Sequence, residues 1–302
     1  GLYFSYKMTL SIIIVNYNST DFLINCLNSI EKSLNGFHAK IYVQDNASTD
    51  GAERIQKQFP SVNFNRNKEN IGFAAAVNQV LRKGKNPYLM LLNPDTYITE
   101  NFFNASMDFI KNNPETGVVG PRIVEKDGSL QNSARSFPTL LTCMFGRSSF
   151  LSRYFPGNPV SRKNLLSINS DGISPMEVDW ISGACMLVNR KAVDAVGSLD
   201  DRFYLYWEDA DWCRRMWQSG WKVVYLPQAT ICHYTGMSSR KKPVGSILEF
   251  HKSAYKLFEK YRTPSMGLIK PFVFFGLLVR SGFMIGFQMF RRFFDVYITS
   301  RD

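Results

Sequence analysis

Over its first hundred residues the chain switches repeatedly between two patterns. Leu10-Ser11-Ile12-Ile13-Ile14-Val15 is a short, β-branched and almost continuous apolar run, the mark of a strand buried on both faces. Phe22, Leu23, Cys26, Leu27 and Ile30 then recur at helical spacing behind Asn18-Ser19-Thr20-Asp21, which offers several N-caps. Ala39-Lys40-Ile41-Tyr42-Val43 is strand-like again, and Ser48-Thr49-Asp50-Gly51 opens a second helix. Val62-Asn63-Phe64-Asn65 is a short strand, Phe73 to Leu81 a third helix, and Tyr88-Leu89-Met90-Leu91-Leu92 a further buried strand. Helices alternating with short apolar strands predict an α/β fold: a doubly wound, mostly parallel sheet flanked by helices.

The middle of the chain is less regular. Val118-Val119-Gly120 reads as a strand and Lys126-Asp127-Gly128 as a hairpin turn. Residues 145–175 are rich in Ser, Asn, Pro, Gly and Arg, which predicts a long loop. Val178 to Val188 reads as one strand interrupted at Gly183, and Glu208 to Ser219 as a helix that stops at Gly220. Trp221 to Leu226 reads as the last strand.

The C-terminal pattern is different. From Glu249 to Arg262, Phe250, Ala254, Leu257, Phe258 and Tyr261 share one face of an amphipathic helix. Met266 to Ile298 is far more apolar, but Lys270 and Arg280 interrupt every window of ~20 residues, which argues against a simple transmembrane helix. At ~100° per residue, Lys270, Arg280, Arg291 and Arg292 fall within a sector of about 120°. A helix with one basic and one Phe-rich face predicts a segment lying in a membrane interface. The competing reading is a helix packed on the rest of the chain or on a second copy, so a homodimer stays open.

Composition sharpens this picture. The chain has 302 residues, 45% hydrophobic and 20% charged, with a net charge of +11. Residues 237–302 hold 12 of the 36 Lys and Arg but only 4 of the 25 Asp and Glu, so the positive excess belongs to the tail. Such charge favours nucleic acid or an anionic membrane. The Phe-rich company it keeps, with no nucleic-acid-reading motif, points to membrane and not to nucleic acid. The five cysteines are widely spaced without a Cys-x-x-Cys pair, which fits a reducing compartment and argues against a disulfide framework or zinc site. Gly1 to Lys7 reads as a cloning remnant before Met8, and no basic n-region follows, so no signal peptide is expected.

Candidate chemistry collects at strand ends. Asn16-Tyr17-Asn18 ends the first strand, Asp45-Asn46 the second, and Asn93-Pro94-Asp95 the strand at Tyr88. Asn70-Ile71-Gly72-Phe73 precedes the third helix, with Asn78 one turn inside it. In a parallel sheet these ends line one edge, where ligands bind. The layout suits a nucleotide: Asp45 to accept from a base N–H, Tyr17 to stack, Gly72 to let backbone approach a phosphate. Asp95 could hold a hard divalent cation that in turn holds a diphosphate. Each residue alone is equally explained as loop or cap chemistry. Tyr206-Trp207-Glu208-Asp209-Ala210-Asp211-Trp212 is a second cluster. Acids in a first helical turn complement the macrodipole, but flanking aromatics also raise a carboxylate toward a general base. His233, after the strand-like Ala229-Thr230-Ile231-Cys232, is either structural or a nitrogen ligand that completes a Mn²⁺ or Mg²⁺ site with Asp95.

Taken in order, Ile14-Val15-Asn16-Tyr17-Asn18, Asp45-Asn46-Ala47-Ser48-Thr49-Asp50-Gly51, Asn70-Ile71-Gly72-Phe73-Ala74, Leu92-Asn93-Pro94-Asp95, Ser182-Gly183-Ala184 and Glu208-Asp209-Ala210-Asp211 resemble family 2 glycosyltransferases with the GT-A fold. Asp127-Gly128-Ser129-Leu130-Gln131 with Arg135, Phe137 and Pro138 resembles the bacterial rhamnosyltransferases of cell-surface polysaccharide assembly. The resemblance covers about residues 9–240. It implies a catalytic domain over residues 8–240 and basic helices over 241–302, working peripherally on the cytoplasmic face of the bacterial membrane. It also implies inverting transfer of a sugar, L-rhamnose from dTDP-rhamnose or a hexose from a UDP-sugar, to a lipid-linked saccharide. Asp209 matches the catalytic base and Asp45 the base-contacting Asp. Asp95 matches the last Asp of Asp-x-Asp, and His233 lies where some relatives place a third metal contact. Asn16, Tyr17, Asn70, Gly72 and Asn78 fall on the donor side, and Trp180, Gly183, Ala184 and Glu208 on the acceptor side. Asn93 departs from the motif by replacing its first Asp, removing one anionic group from the metal site. Gln-x-x-Arg-Trp is absent, with Arg214-Arg215-Met216-Trp217 instead, which argues against a processive synthase.

Two other enzyme classes share the alternating pattern. A Rossmann oxidoreductase needs Gly-x-Gly-x-x-Gly after the first strand, and Asn16-Tyr17-Asn18-Ser19-Thr20 has no glycine. A sugar nucleotidyltransferase needs a Gly- and Arg-rich loop at the same place. A membrane-docked scaffold with a degenerate site is the non-enzymatic alternative.

Overall fold

A computed structural model describes residues 9–139, 163–234 and 243–299. Gly1 to Lys7, much of the loop expected at 145–175, Cys143 and the side chains of Arg291 and Arg292 lie outside the described residues. The first half follows the predicted alternation: β1 (Thr9–Asn16), α1 (Thr20–Ser33), β2 (His38–Asp45), α2 (Arg54–Gln58), β3 (Asn63–Arg66), α3 (Phe73–Leu81) and β4 (Tyr88–Leu92). β3, β2, β1 and β4 lie side by side in that order and all run parallel. Ile12 and Ile14 point into one apolar layer with α1, and Ile13 and Val15 into the other with α3. That is why the β1 sequence is apolar at successive positions and does not alternate.

Beyond β4 the sheet becomes mixed. β5 (Thr96–Ile98), α4 (Phe102–Asn112) and β6 (Thr116–Val124) are followed by the short β7 (Leu130–Gln131) and β8 (Ala134–Arg135). The turn between β6 and β7 is the expected hairpin, closed by Asp127 Oδ1, which accepts from Ser129 N at 2.9 Å. The run expected as one strand from Val178 is three pieces: β9 (Met176–Glu177), β10 (Trp180–Ile181) and β11 (Cys185–Asn189). β10 leaves the main sheet to pair with β8, while β11 inserts antiparallel between β4 and β6. After α5 (Arg190–Val196) and α6 (Glu208–Gln218), β12 (Lys222–His233) runs parallel to β6 and antiparallel to β5. The sequence predicts a stop at Leu226, but β12 continues through a register shift between Leu226 and Thr230, where Pro227 has no N–H to give to the ladder. This single long strand carries His233 opposite Thr96, next to Asp95.

The C-terminal helices are α7 (Pro243–Tyr261) and α8 (Lys270–Thr299). α7 packs on the α/β body: Leu257 joins the core beside Trp212 and Met216, and Ser253 Oγ donates to Leu205 O at 2.8 Å. α8 is long and apolar enough over Pro264–Phe290 to cross a membrane by length and composition. Of the two cations expected to interrupt it, Lys270 pairs with Glu259 at 3.0 Å and Arg280 contacts His251. The outward face carries Phe272, Phe275, Val279, Phe283 and Phe290, all exposed.

Candidate active site

The cleft lies over the ends of β1 and β4 and encloses about 730 Å³, within the range of small-molecule sites. At one end β4 breaks into Asn93-Pro94-Asp95. Asn93 N donates to Ala184 O at 2.9 Å, and Thr96 Oγ1 donates to Asn93 O at 2.7 Å, so the turn is fixed from both sides. Asp95 Oδ1 lies 3.1 Å from His233 Nε2, and both residues are 6% exposed. His233 Nδ1 meets Gln131 Oε1 at 2.9 Å. With that amide oxygen as acceptor, Nδ1 carries the ring proton and Nε2 turns a lone pair toward the carboxylate. A carboxylate oxygen and an imidazole nitrogen at this spacing are the donor types that would take Mn²⁺ or Mg²⁺. The Asn93 amide nitrogen, 3.4 Å from His233 Nε2, also faces this point.

Of the residues expected on the donor side, Tyr17, Asn70, Gly72 and Asp95 line the cleft. Asn16, Asp45 and Asn78 do not. Asn78 is committed at both amide atoms to Leu199, donating to its carbonyl at 2.8 Å and accepting from its N–H at 3.1 Å. It ties α3 to the segment before α6 and is buried away from the cleft lining. Asp45 is 0% exposed beneath the rim, accepting from Asn16 Nδ2 at 2.9 Å and Ser48 N at 3.0 Å, with Arg66 Nε at 3.7 Å. There it fastens the loop after β2 to the end of β1, leaving Asn16 Oδ1 buried and without a protein partner among the described residues. Gly72 is a glycine for a different reason than phosphate approach. Its φ is +86°, and a Cβ would stand 2.5 Å from Tyr204 O, to which Phe73 N donates at 2.8 Å.

The opposite side of the cleft is built on the start of α6. Tyr206 and Trp207 both take positive φ, 68° and 71°, an unusual conformation for two bulky residues in succession. The bend delivers Glu208 and Asp209 into the cleft from the first helical turn. Asp209 Oδ2 accepts from Gly183 N at 2.8 Å and Oδ1 from Ala210 N at 2.8 Å. Burial raises the Asp209 pKa above its ordinary value, while the two N–H groups and the Arg135 charge pull it back. Glu208 is raised well above its ordinary value by burial and then by Asp209. Its Oε2 is buried and has no protein partner among the described residues. The two adjacent carboxyls differ in surroundings: Asp209 is held by N–H donors that favour its charged form, whereas burial pushes Glu208 further up.

Aromatic rings complete this wall. Trp180, with Nε1 bonded to Ser136 O at 2.9 Å, stacks at a tilt on Trp207, ring centroids 5.9 Å apart. Arg135 sits 5.4 Å from the Trp180 ring. Gly183 and Ala184 are in the lining as expected. The pattern missed Tyr204, Phe250 and Arg280, which also line it. The last two stand on α7 and α8, where amphipathic spacing gave no sign that one face looks into a site.

The Glycosyl transferase family 2 profile matches residues 11–195 of the chain. An N-acetylglucosaminyl-diphospho-decaprenol L-rhamnosyltransferase of Mycobacterium tuberculosis is 31% identical over 229 residues, covering 71% of this chain and 73% of that protein. The rhamnosyltransferase WbbL of Escherichia coli is 24% identical over 237 residues, covering 76% of this chain and 84% of that one. Among solved structures, a mannosyltransferase from Pyrobaculum calidifontis in complex with GDP-Man and Mn²⁺ superposes with a TM-score of 0.57 at 13% identity, covering 98% of this chain and 83% of that one. That likeness carries the fold, which is GT-A. The profile and the sequence relatives carry more: the chain belongs to glycosyltransferase family 2 and is a nucleotide-sugar-dependent glycosyltransferase.

Proposed function

We propose that the chain transfers L-rhamnose from dTDP-rhamnose, with inversion, to a polyprenyl-diphosphate-linked saccharide at the cytoplasmic membrane surface. One observation carries the reading. The Asp95–His233 pair, the Asp209 carboxylate and the inner face of the apolar helix α8 all open onto the same cleft. The donor end is lined by Tyr17, Asn70 and Gly72. Asp95 and His233 are the residues that would hold Mn²⁺ or Mg²⁺, and such an ion, when bound, neutralises a diphosphate leaving group. On the other side an acceptor hydroxyl gives its proton to Asp209. Its oxygen forms the bond to the anomeric carbon from the face opposite the diphosphate, and the carbon–oxygen bond to the diphosphate breaks with its electron pair. The N–H groups of Gly183 and Ala210 hold the base at a fixed angle, and the Glu208 carboxyl, pushed up by burial, opens onto the same cleft beside it. Trp180 and Trp207 give the flat apolar surface on which a sugar ring rests. The exposed Phe face of α8 supports a cleft working beside lipid, where such an acceptor would reside.

The test is transfer by the purified chain in detergent from dTDP-rhamnose and from UDP-hexoses to a polyprenyl-diphosphate N-acetylglucosamine, with and without Mn²⁺. Transfer from the dTDP donor alone, stimulated by metal, is expected. Preference for a UDP-hexose overturns the donor assignment, and absence of transfer from any donor overturns the catalytic reading.

A further inference from the structure

Asp209 reaches the cleft through a bend in an unfavoured conformation. Tyr206 and Trp207 stand in succession at φ 68° and 71°. Bulky residues avoid that region and stay in it only where their surroundings hold them. From the start of α3, Phe73 N donates to Tyr204 O at 2.8 Å, two residues before the bend. From β10, the Trp180 ring stands 5.9 Å from that of Trp207. Further contacts come from α7, outside the α/β body. Ser253 Oγ donates to Leu205 O at 2.8 Å, and Trp207 Nε1 donates to Phe250 O at 3.2 Å. The Phe250 ring meets both bent residues, its centroid 5.8 Å from that of Tyr206 and 5.2 Å from that of Trp207. It meets Tyr206 edge-on and Trp207 at a tilt, geometries that favour particular ring directions.

What the bend secures is narrow. Asp209 follows Trp207 by two residues, and its Oδ2 must meet Gly183 N, 2.8 Å away on the link between β10 and β11. Relaxation of either φ toward the ordinary negative range re-aims the first turn of α6 and carries the carboxylate off that N–H. Resting on Asp209 as the base, we propose that Phe250 is a positioning residue for the transfer. Its ring, wedged against Tyr206 and Trp207, holds the bend and so keeps Asp209 on the Gly183 N–H. α7 thus belongs to the catalytic machinery and is more than a link to the apolar helix α8.

Hydrogen exchange at Gly183 reads the bend without turnover. Full-length wild type, Phe250→Ala, Phe250→Leu, Phe250→Tyr and Asp209→Ala are compared in neutral detergent, by mass spectrometry of peptides covering Gly183 and β1. Asp209→Ala sets the exchange of a Gly183 N–H that has lost its carboxylate. Phe250→Leu and Phe250→Ala, which lack the ring, should speed Gly183 exchange about tenfold or more toward that level, with β1 still protected. Phe250→Tyr keeps the ring and should match wild type. In transfer from dTDP-rhamnose to polyprenyl-diphosphate N-acetylglucosamine, kcat of Phe250→Leu should fall about tenfold or more, with the donor KM within about twofold of wild type, because small misplacements slow chemistry more than they weaken binding. Unchanged Gly183 exchange in both ringless variants overturns the proposal. So does a rise that β1 shares, which would make Phe250 a general packing residue. Raised Gly183 exchange with an undiminished kcat supports the hold on Asp209 and overturns Asp209 as the base. A wrong donor assignment leaves the exchange result standing, so the two readings fail separately.

Discussion

Replacing Lys260 by Met would cut the charged tie between the C-terminal helices and the helix that carries Asp209. Lys260, on the last turn of α7, reaches Asp211 Oδ1 at 2.6 Å and Asp200 Oδ2 at 2.8 Å. Asp211 is 0% exposed, so a full loss of partners would leave a buried uncompensated charge, costing about 3–5 kcal/mol. That does not happen here: Arg215 Nε at 2.9 Å and Tyr261 OH at 2.7 Å remain on Asp211, and Arg202 Nη2 at 2.6 Å remains on Asp200. The expected loss is that of hydrogen bonds to a charged group, about 1.5–3 kcal/mol. For a chain of this size that lowers Tm by roughly 2–5 °C. The pH dependence follows from the carboxylates. Arg202 first, then Lys260, hold Asp200 well below the usual carboxylate range. A lowered pKa contributes stability above the unfolded value, lost as pH falls through the folded one. The Tm gap between wild type and Lys260→Met should therefore be steady from pH 5 to 8 and shrink below about pH 4. Calorimetry in detergent across that range measures it. A gap under 1 °C, or one unchanged at low pH, would refute the claim that α7 is fastened through these ion pairs.

Three further substitutions probe the cleft. Glu208→Gln should raise Tm at pH 8 and leave it unchanged near pH 4, because a raised carboxyl pKa makes the folded state lose stability as pH rises above the unfolded value; a gain at both pH values would contradict this. Gly72→Ala should cost about 1–2 kcal/mol for a left-handed backbone plus roughly 1–3 kcal/mol for the clash with Tyr204 O, and an unchanged melting curve would show that this approach is not rigid. Asn93→Asp adds a negative charge beside His233 and should tighten Mn²⁺ binding by about tenfold, read by calorimetry, whereas unchanged affinity would place the ion elsewhere.

The parallel half of the sheet could be read from the sequence because its strands are buried on both faces and leave short β-branched runs between helical ones. Strand direction left no such trace: β11 is as apolar as β4, yet runs against it. The break at Gly183 looked like a flaw in one strand, whereas the structure turns there so that the Gly183 N–H reaches Asp209. The site followed the same division. Asp95, Tyr17, Asn70 and Asp209 stand at element ends, where polar residues after apolar runs are conspicuous. Asp45 and Asn78 have the same signature but sit outside the cleft lining, Asp45 on Asn16 and Ser48 and Asn78 on Leu199, because polar residues after apolar runs do not say which side chain reaches the cleft. Arg280 stayed hidden because a cation on an apolar helix looks the same whether it faces solvent or a cleft. The bend at Tyr206-Trp207 had no marker at all, since neither residue favours positive φ.

The central claim is that Asp209 is the base of a sugar transfer, and its most direct test is Asp209→Asn. Asparagine keeps an oxygen for one of the two N–H donors and preserves the shape of the cleft, but takes no proton. Transfer rate and dTDP-sugar affinity should be measured together on the purified full chain. The account predicts a rate reduced by about 10²–10⁴-fold with donor affinity within about twofold of wild type. A variant retaining more than about a tenth of the rate, with the donor still bound, would contradict it and move the base to another group in the cleft.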